Sequence, residues 1–244
     1  MSKRIALLAA ALIASPAFAD HTQIYLERAS TFTPSLRLGI DIAPRGEAMP
    51  AVPNSGHGIE IGLYGTSGDE TQTRTVGAPP LTFGGQVFAA PTTLNHEFDF
   101  GLFEIAYRYR HFFSRDATFG IELLGGLGVA EMDLTVSSPT QRATENLQSG
   151  GIVAGLGVIW KFAPQTSVQS RIMGFGSGER EGVTSAVRFE VMVAHALTRN
   201  IAVRGGLTGW RVESERDEDH DFNSPNSHIR ANFGGLALGL DIAF

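Results

Sequence analysis

Asn232-Phe233-Gly234-Gly235-Leu236-Ala237-Leu238-Gly239-Leu240-Asp241-Ile242-Ala243-Phe244 is the stretch whose reading decides the fold. Large apolar residues fall on every second position: Leu236, Leu238, Leu240, Ile242 and Phe244. Between them stand Gly235, Ala237, Gly239, Asp241 and Ala243. A strand sends alternate side chains to opposite faces, so one face is greasy and the other is small or charged. In a soluble sandwich the greasy face is the core. In a transmembrane barrel it meets lipid, and the small or polar face meets the lumen. The stretch fits both architectures; the rest of the chain separates them.

Residues 1–19 have the parts of a secretory signal peptide. Lys3 and Arg4 form the charged start and Ile5 to Ala14 the apolar run. Ala17-Phe18-Ala19 offers cleavage before Asp20. The apolar run is too short to cross a bilayer as a helix. Cleavage takes two of the 19 basic residues and none of the 25 acids, so the formal charge moves from −6 to −8. That balance argues against a nucleic-acid partner. The chain has no cysteine, which excludes a disulfide, a cysteine nucleophile, a thiolate metal site and a lipoprotein anchor. No later apolar run is long enough for a transmembrane helix. With 29 glycines and few helix-favouring runs, the composition suits one all-β domain.

Residues 20–55 read as a periplasmic lead-in or an extra strand; Leu36, Leu38, Ile40 and Ile42 alternate there with Arg37, Gly39, Asp41 and Ala43. Residues 56–244 read as the barrel. Alternating segments begin near Gly58, Phe98, Thr118, Gly150, Thr166, Thr184, Asn200 and His228. Short turns are expected near Ser114, Pro164 and Arg199. Polar loops are expected at 66–97, 137–148, 176–182 and 213–227. Outer-membrane barrels sort their connections in this way, with short periplasmic turns and longer extracellular loops. The strands also exceed the usual five or six residues and suit a tilted bilayer crossing. Lipid offers no partner to a free sheet edge, so the sheet must close. The expected fold is therefore a closed antiparallel transmembrane β-barrel. With both termini at the short-turn end the count is even: eight strands, or ten if 36–43 and 81–89 join. The reading takes eight.

The lumen face collects charges of both signs. Arg108, Arg110, Lys161, Arg171, Arg188 and Arg204 oppose Glu60, Glu104, Glu122, Glu190 and Asp241; the ten-strand version adds Arg37 and Asp41. An unpaired charge in a narrow lumen is costly. Near balance predicts a self-compensating network that fills a small barrel. The glycines and alanines of that face make room for it.

Signal peptide, alternating strands, sorted connections and the terminal Phe244 together resemble the small Gram-negative outer-membrane barrels of the OmpA transmembrane-domain and opacity type. Tyr107-Arg108-Tyr109-Arg110 and Gly125-Gly126-Leu127-Gly128 are similar to strand segments of that group. The terminal Phe244 looks like its assembly signature. The resemblance implies outer-membrane lipid and the barrel-assembly machinery as partners, and a monomer. It names an architecture and no single activity.

Candidate chemistry is sparse. Barrel lipid A deacylases place a catalytic His two residues before a Ser, so that nucleophile and base can pair. His228 is followed by Ile229 and Arg230, and His195 by Ala196 and Leu197, so neither meets the motif. Asp217, Asp219 and Asp221 have the spacing of Ca²⁺ ligands, but Phe222 stands where an EF-hand needs Gly. That acidic loop reads as solvated. Phe112, Phe113, Trp160, Phe162 and Phe244 fit an interfacial aromatic girdle. No catalytic residue, cofactor or metal is assigned. The expected role is structural, or interaction with a surface ligand through the outer loops. The rival readings are a narrow pore for ions or small solutes and a lipid-modifying enzyme. The sorted connections carry one test. Protease added to intact cells should cut near Arg142, Arg180 or Arg216 and spare Arg115 and Arg199; cutting at Arg115 would invert the orientation.

Overall fold

A computed structural model describes residues 22–42, 55–78, 80–113, 118–178, 182–198, 201–216 and 227–243. Its regular structure is all strand. In chain order these are β1 (Thr22–Ile42), β2 (Ser55–Arg74), β3 (Leu81–Phe83), β4 (Gln86–Phe88), β5 (Thr92–Phe112) and β6 (Phe119–Ser137). They are followed by β7 (Arg142–Ala163), β8 (Thr166–Gly176), β9 (Gly182–Ala196), β10 (Ile201–Arg216) and β11 (Ser227–Ala243). Nine of them form a ring in the order β1-β2-β5-β6-β7-β8-β9-β10-β11, and β11 pairs back onto β1. β3 and β4 form a separate hairpin. The signal-peptide stretch, Asp217–Asp221 and Phe244 lie outside the described residues.

The ring corrects the expected count of eight or ten. The eight antiparallel strands are present as β2 and β5–β11. β1 lies between the first and last of them, antiparallel to β2 and parallel to β11. A parallel seam removes the need for an even number. It also separates the two ends of the ring strands: Thr22 aligns with Ser227 at one end, and Gly39 aligns with Ala243 at the other. The first and last described ring residues, Thr22 and Ala243, thus lie at opposite ends, where the even count assumed one end. Residues 81–89 supply no ring strand, because Gly84 and Gly85 take positive φ (55° and 70°) and turn the segment back on itself. A two-residue hairpin turn with both φ positive suits Gly-Gly.

Two expected loops are largely strand. β2 runs to Arg74 and β5 starts at Thr92, while residues 138–141 alone connect β6 to β7. In that turn Ser138 N–H donates to the Gln141 carbonyl (2.8 Å), and Ser138 Oγ accepts from the N–H of Gln141 (3.1 Å). The reason lies in the alternation, which never stops but changes sense. On β5, Phe103, Ile105 and Tyr107 are exposed, while Glu104, Ala106 and Arg108 are buried. Toward the start of the strand the exposed set becomes Thr93, Glu97 and Asp99, and the buried set Leu94, His96, Phe98 and Phe100. β6 repeats this: Leu123, Leu127 and Val129 face out in one half, and Met132, Leu134 and Val136 are buried in the other. The outward polar residues of those halves look like loop in the sequence.

The exposed apolar positions form a belt around one half of the ring, with Leu127, Ile152 and Leu236 each about two-thirds exposed (68%, 67% and 65%). At the short-turn end Trp160 and Phe162 lie 5.8 Å apart, and Phe113 stacks on Phe119 at 5.8 Å. Phe113, Trp160 and Phe162 stand where the aromatic girdle was expected; Phe112 does not, because it falls on the inward phase of β5 beside Lys161.

Tight strand crossings need glycine on the inner face. A Cβ at Gly126 would meet the carbonyl oxygen of Ile105, whereas one at neighbouring Gly125 meets nothing within 4 Å. Gly126→Ala should therefore cost about 1–3 kcal/mol in an unfolding titration, and Gly125→Ala should stay within about 0.5 kcal/mol.

Candidate functional site: a two-tiered interior

The ring interior has a charged tier and an apolar tier. The charged tier lies inside the apolar belt. Six arginines (Arg37, Arg108, Arg110, Arg171, Arg188 and Arg204) meet five carboxylates (Glu60, Glu104, Glu122, Glu190 and Asp241) in one connected set of ion pairs. Glu60 on β2 is its centre. Arg171 from β8 reaches it at 2.6 Å, Arg108 from β5 at 3.1 Å and Arg37 from β1 at 3.7 Å. Arg171 also pairs with Glu122 at 2.5 Å, and Glu122 receives Arg110 at 2.6 Å. Arg110 and Glu122 are register partners across β5 and β6, which is the cross-strand pairing the inward faces predict.

The other wing runs through Glu190. Arg37 lies 3.4 Å from it, Arg188 3.6 Å and Arg204 3.7 Å. Asp241 then ties Arg37 (3.1 Å) to Arg204 (3.4 Å). Removing these groups from water is expensive, and only multiple charge-assisted hydrogen bonds offset it. Glycine gives the long side chains their room. A Cβ at Gly157 would press on Arg171 Cγ at 2.9 Å, and one at Gly239 on Arg204 Cγ at 2.9 Å.

Arg188 joins the tiers. Its guanidinium donates to Glu104 at 3.2 Å and lies over the Tyr64 ring at 3.6 Å from the centroid. It also stands 5.1 Å from the Trp210 ring. Beyond it Phe100 packs edge-on to Trp210 at 5.3 Å, Trp210 stacks on Phe233 at 6.1 Å, and Phe98 lies 5.2 Å from Phe233. Aromatic faces suit a guanidinium on one side and apolar neighbours on the other. Leu94, Met132, Leu134, Phe175, Val183, Val212 and Ile229 continue the apolar tier. Leu81, Phe83 and Phe88 of the β3–β4 hairpin join the same cluster. Gly84 N–H donates to Glu145 Oε1 at 2.9 Å and fixes the hairpin to β7.

Ten of the eleven lumen residues expected from the sequence share this network. Lys161 does not: it is half-buried near the short-turn end, with its ammonium 4.6 Å from the Phe112 ring centroid. Arg37, which the sequence admits only with an extra strand, is central because β1 is in the ring. The apolar tier was missed. Its signal is the inward set Leu94, Phe98 and Phe100 in phase with Glu104 and Arg108 on one strand. His195 is exposed, with Nδ1 2.9 Å from Thr166 Oγ1. Glu213 pairs with Arg211 (2.8 Å) and Arg230 (2.9 Å). The His228 side chain and the Asp41 side chain lie outside the described residues.

No family model, curated protein or solved structure matches this chain.

The interior geometry offers counter-charges and packing. Glu60→Gln removes the shared partner of three buried arginines and should cost about 3–5 kcal/mol in a denaturant or thermal titration. Glu97→Gln breaks one exposed pair with Arg142 (3.4 Å) and should change stability by less than about 1 kcal/mol. Equal effects of the two would refute a buried network.

Proposed function

We propose that the protein is an outer-membrane β-barrel with a filled lumen, whose role is structural or one of surface interaction at the end that carries the β3–β4 hairpin. The reversal of the greasy face halfway along β5 and β6 carries this reading. Where the outer surface is apolar, the interior is ionic. Where the outer surface is polar, the interior is an apolar core like that of a water-soluble barrel. A ring wholly in water has no use for the first arrangement, since its apolar belt would be exposed.

The belt has a bilayer's dimensions. From Phe119 to Val129 the outward face of β6 is apolar or glycine. That run is about 34 Å along the strand, or roughly 24–28 Å of height at a tilt of about 35–45°. Outer-membrane barrels carry an apolar band of about 25 Å with aromatic girdles. Trp160, Phe162, Phe113 and Phe119 mark one edge of this one. The strands extend beyond the other edge, so the apolar tier and the β3–β4 hairpin stand in the aqueous part. The signal peptide is the route to that membrane, and the assembly machinery the agent of insertion.

The ion network and the core above it leave the interior occupied, which favours a plug over a pore. The protein should fractionate with the outer membrane and show a heat-dependent shift in gel mobility. In planar bilayers it should pass little steady current. A processed protein found wholly in the soluble periplasm would overturn the membrane assignment, and a large stable conductance would return the pore reading.

A further inference from the structure

His96 lies on the half of β5 beyond the apolar belt and is 2% exposed. Among the described residues neither nitrogen of its ring has a hydrogen-bond partner. A buried polar group left in that state is costly and calls for a reason. Its register neighbours are Glu70 on β2 and Val136 on β6, and Val136 pairs in turn with Ala143 on β7. The four form one inward row across four strands. The tip of the β3–β4 hairpin rests on the far end of this row. A Cβ at Gly84 would stand 3.0 Å from that of Ala143, and Gly84 N–H donates to Glu145, two residues further along β7. Leu81, Phe83 and Phe88 of the hairpin are buried in one apolar cluster with Leu94, Phe98, Val136 and Ala143. Leu94 and Phe98 flank His96 on the inward face of β5. The imidazole therefore lies within the apolar layer that the hairpin closes. β3 and β4 pair only with each other, so the hairpin can lift without breaking a ladder of the ring.

We propose that the β3–β4 hairpin is an acid-released lid on the apolar tier, with His96 as its trigger. Few charged groups face that imidazole. β2 brings Glu70 opposite it and Arg74 near the strand's end, and β7 brings Glu145. The inward residues of β6 at this level, Met132, Leu134 and Val136, carry no charge, and neither does the hairpin from Leu81 to Phe88. Across the ring, the described inward residues of β1 and β8–β11 are apolar, among them Ile24, Phe175, Val212 and Ile229. Glu145 can accept from Gly84 N–H whether ionised or protonated, so the hairpin's own tether is no pH switch.

Burial, and after it the charge of Arg74, push the imidazole down from 6.5 to about 4. The closed lid thus holds the neutral ring. A ring released into water titrates near 6.5 and takes the proton that the closed form refuses. The closed form is fully favoured above that pH, and the preference fades as the pH falls from 6.5 toward 4. At pH 5 the lid should be open about twentyfold more often than at pH 7. The device needs only the folded ring, so its test does not depend on the membrane assignment.

The chain has no cysteine, so single introduced thiols report the lid. Leu81→Cys places one on the buried face of the hairpin and Val87→Cys one on its exposed face. Each is reacted with a neutral methanethiosulfonate in the folded, full-length protein, and the ratio of the two rates removes the thiol's own pH dependence. That ratio should rise about twentyfold from pH 7 to pH 5. With His96→Leu or His96→Gln, neither of which titrates, it should change by less than about twofold. Where one of these two variants fails to fold, the other carries the comparison. Ala106→Cys, buried in the charged tier, reports opening of the whole ring and should stay unreactive at both pH values. A flat ratio with His96 in place would overturn the proposal. So would an undiminished rise in the His96 variants, which assigns the effect to another group. Labelling of Ala106→Cys in step with Leu81→Cys would also overturn it, as acid unfolding of the ring.

Discussion

The carboxylate of Glu60, held among the guanidiniums of Arg37, Arg108 and Arg171, is the interaction on which the interior depends. It ties β2 to its sheet neighbours β1 and β5 and, across the ring, to β8, which does not pair with it. A buried carboxylate without partners would be untenable, and Glu60 has three. The remaining pairs extend the same condition outward, through Glu122 to Arg110 and through Glu190 to Arg204. Arg188 ends the ionic tier by presenting one face to Tyr64, after which the interior can be apolar.

That change of tier has its counterpart on the outside. A strand keeps strict alternation, so one face can be altered only against the other. On β5 the change falls between Phe100 and Glu104, and the outward residues change from Asp99 to Phe103 over the same interval. No register shift separates the two halves of β5 and β6. The two media proposed to surround the ring account for the switch: ionic inside where lipid is outside, apolar inside where water is outside.

β1 gives the ring its unusual seam. It contributes Arg37 to the network and closes the sheet in parallel with β11, at an odd count. It pairs fully with β11 but with β2 only from Ser35 to Ile42, and a cleft opens beside Pro34. The same strand thus both completes the ionic tier and leaves an opening beside the apolar one.

Much of the β fold was legible in the sequence because alternation is local. Leu236, Leu238 and Leu240 against Ala237 and Gly239 define a strand and its two faces without knowledge of any neighbour. The inward set of Glu60, Glu104, Arg108, Glu122, Arg171, Arg188, Glu190 and Arg204 followed from the same period. The outward polar residues Asp69, Glu97, Thr144 and Asn146 were misread as loop because composition was weighed over phase. What the sequence alone determined was the strands of the belt half and which side chains share a face. Only the tertiary structure decided that β1 pairs in parallel with β11, that the count is nine, and that Glu60 meets arginines from three other strands. Those are contacts between residues far apart in the chain, and a repeat of two residues carries no information about which strand will lie beside which.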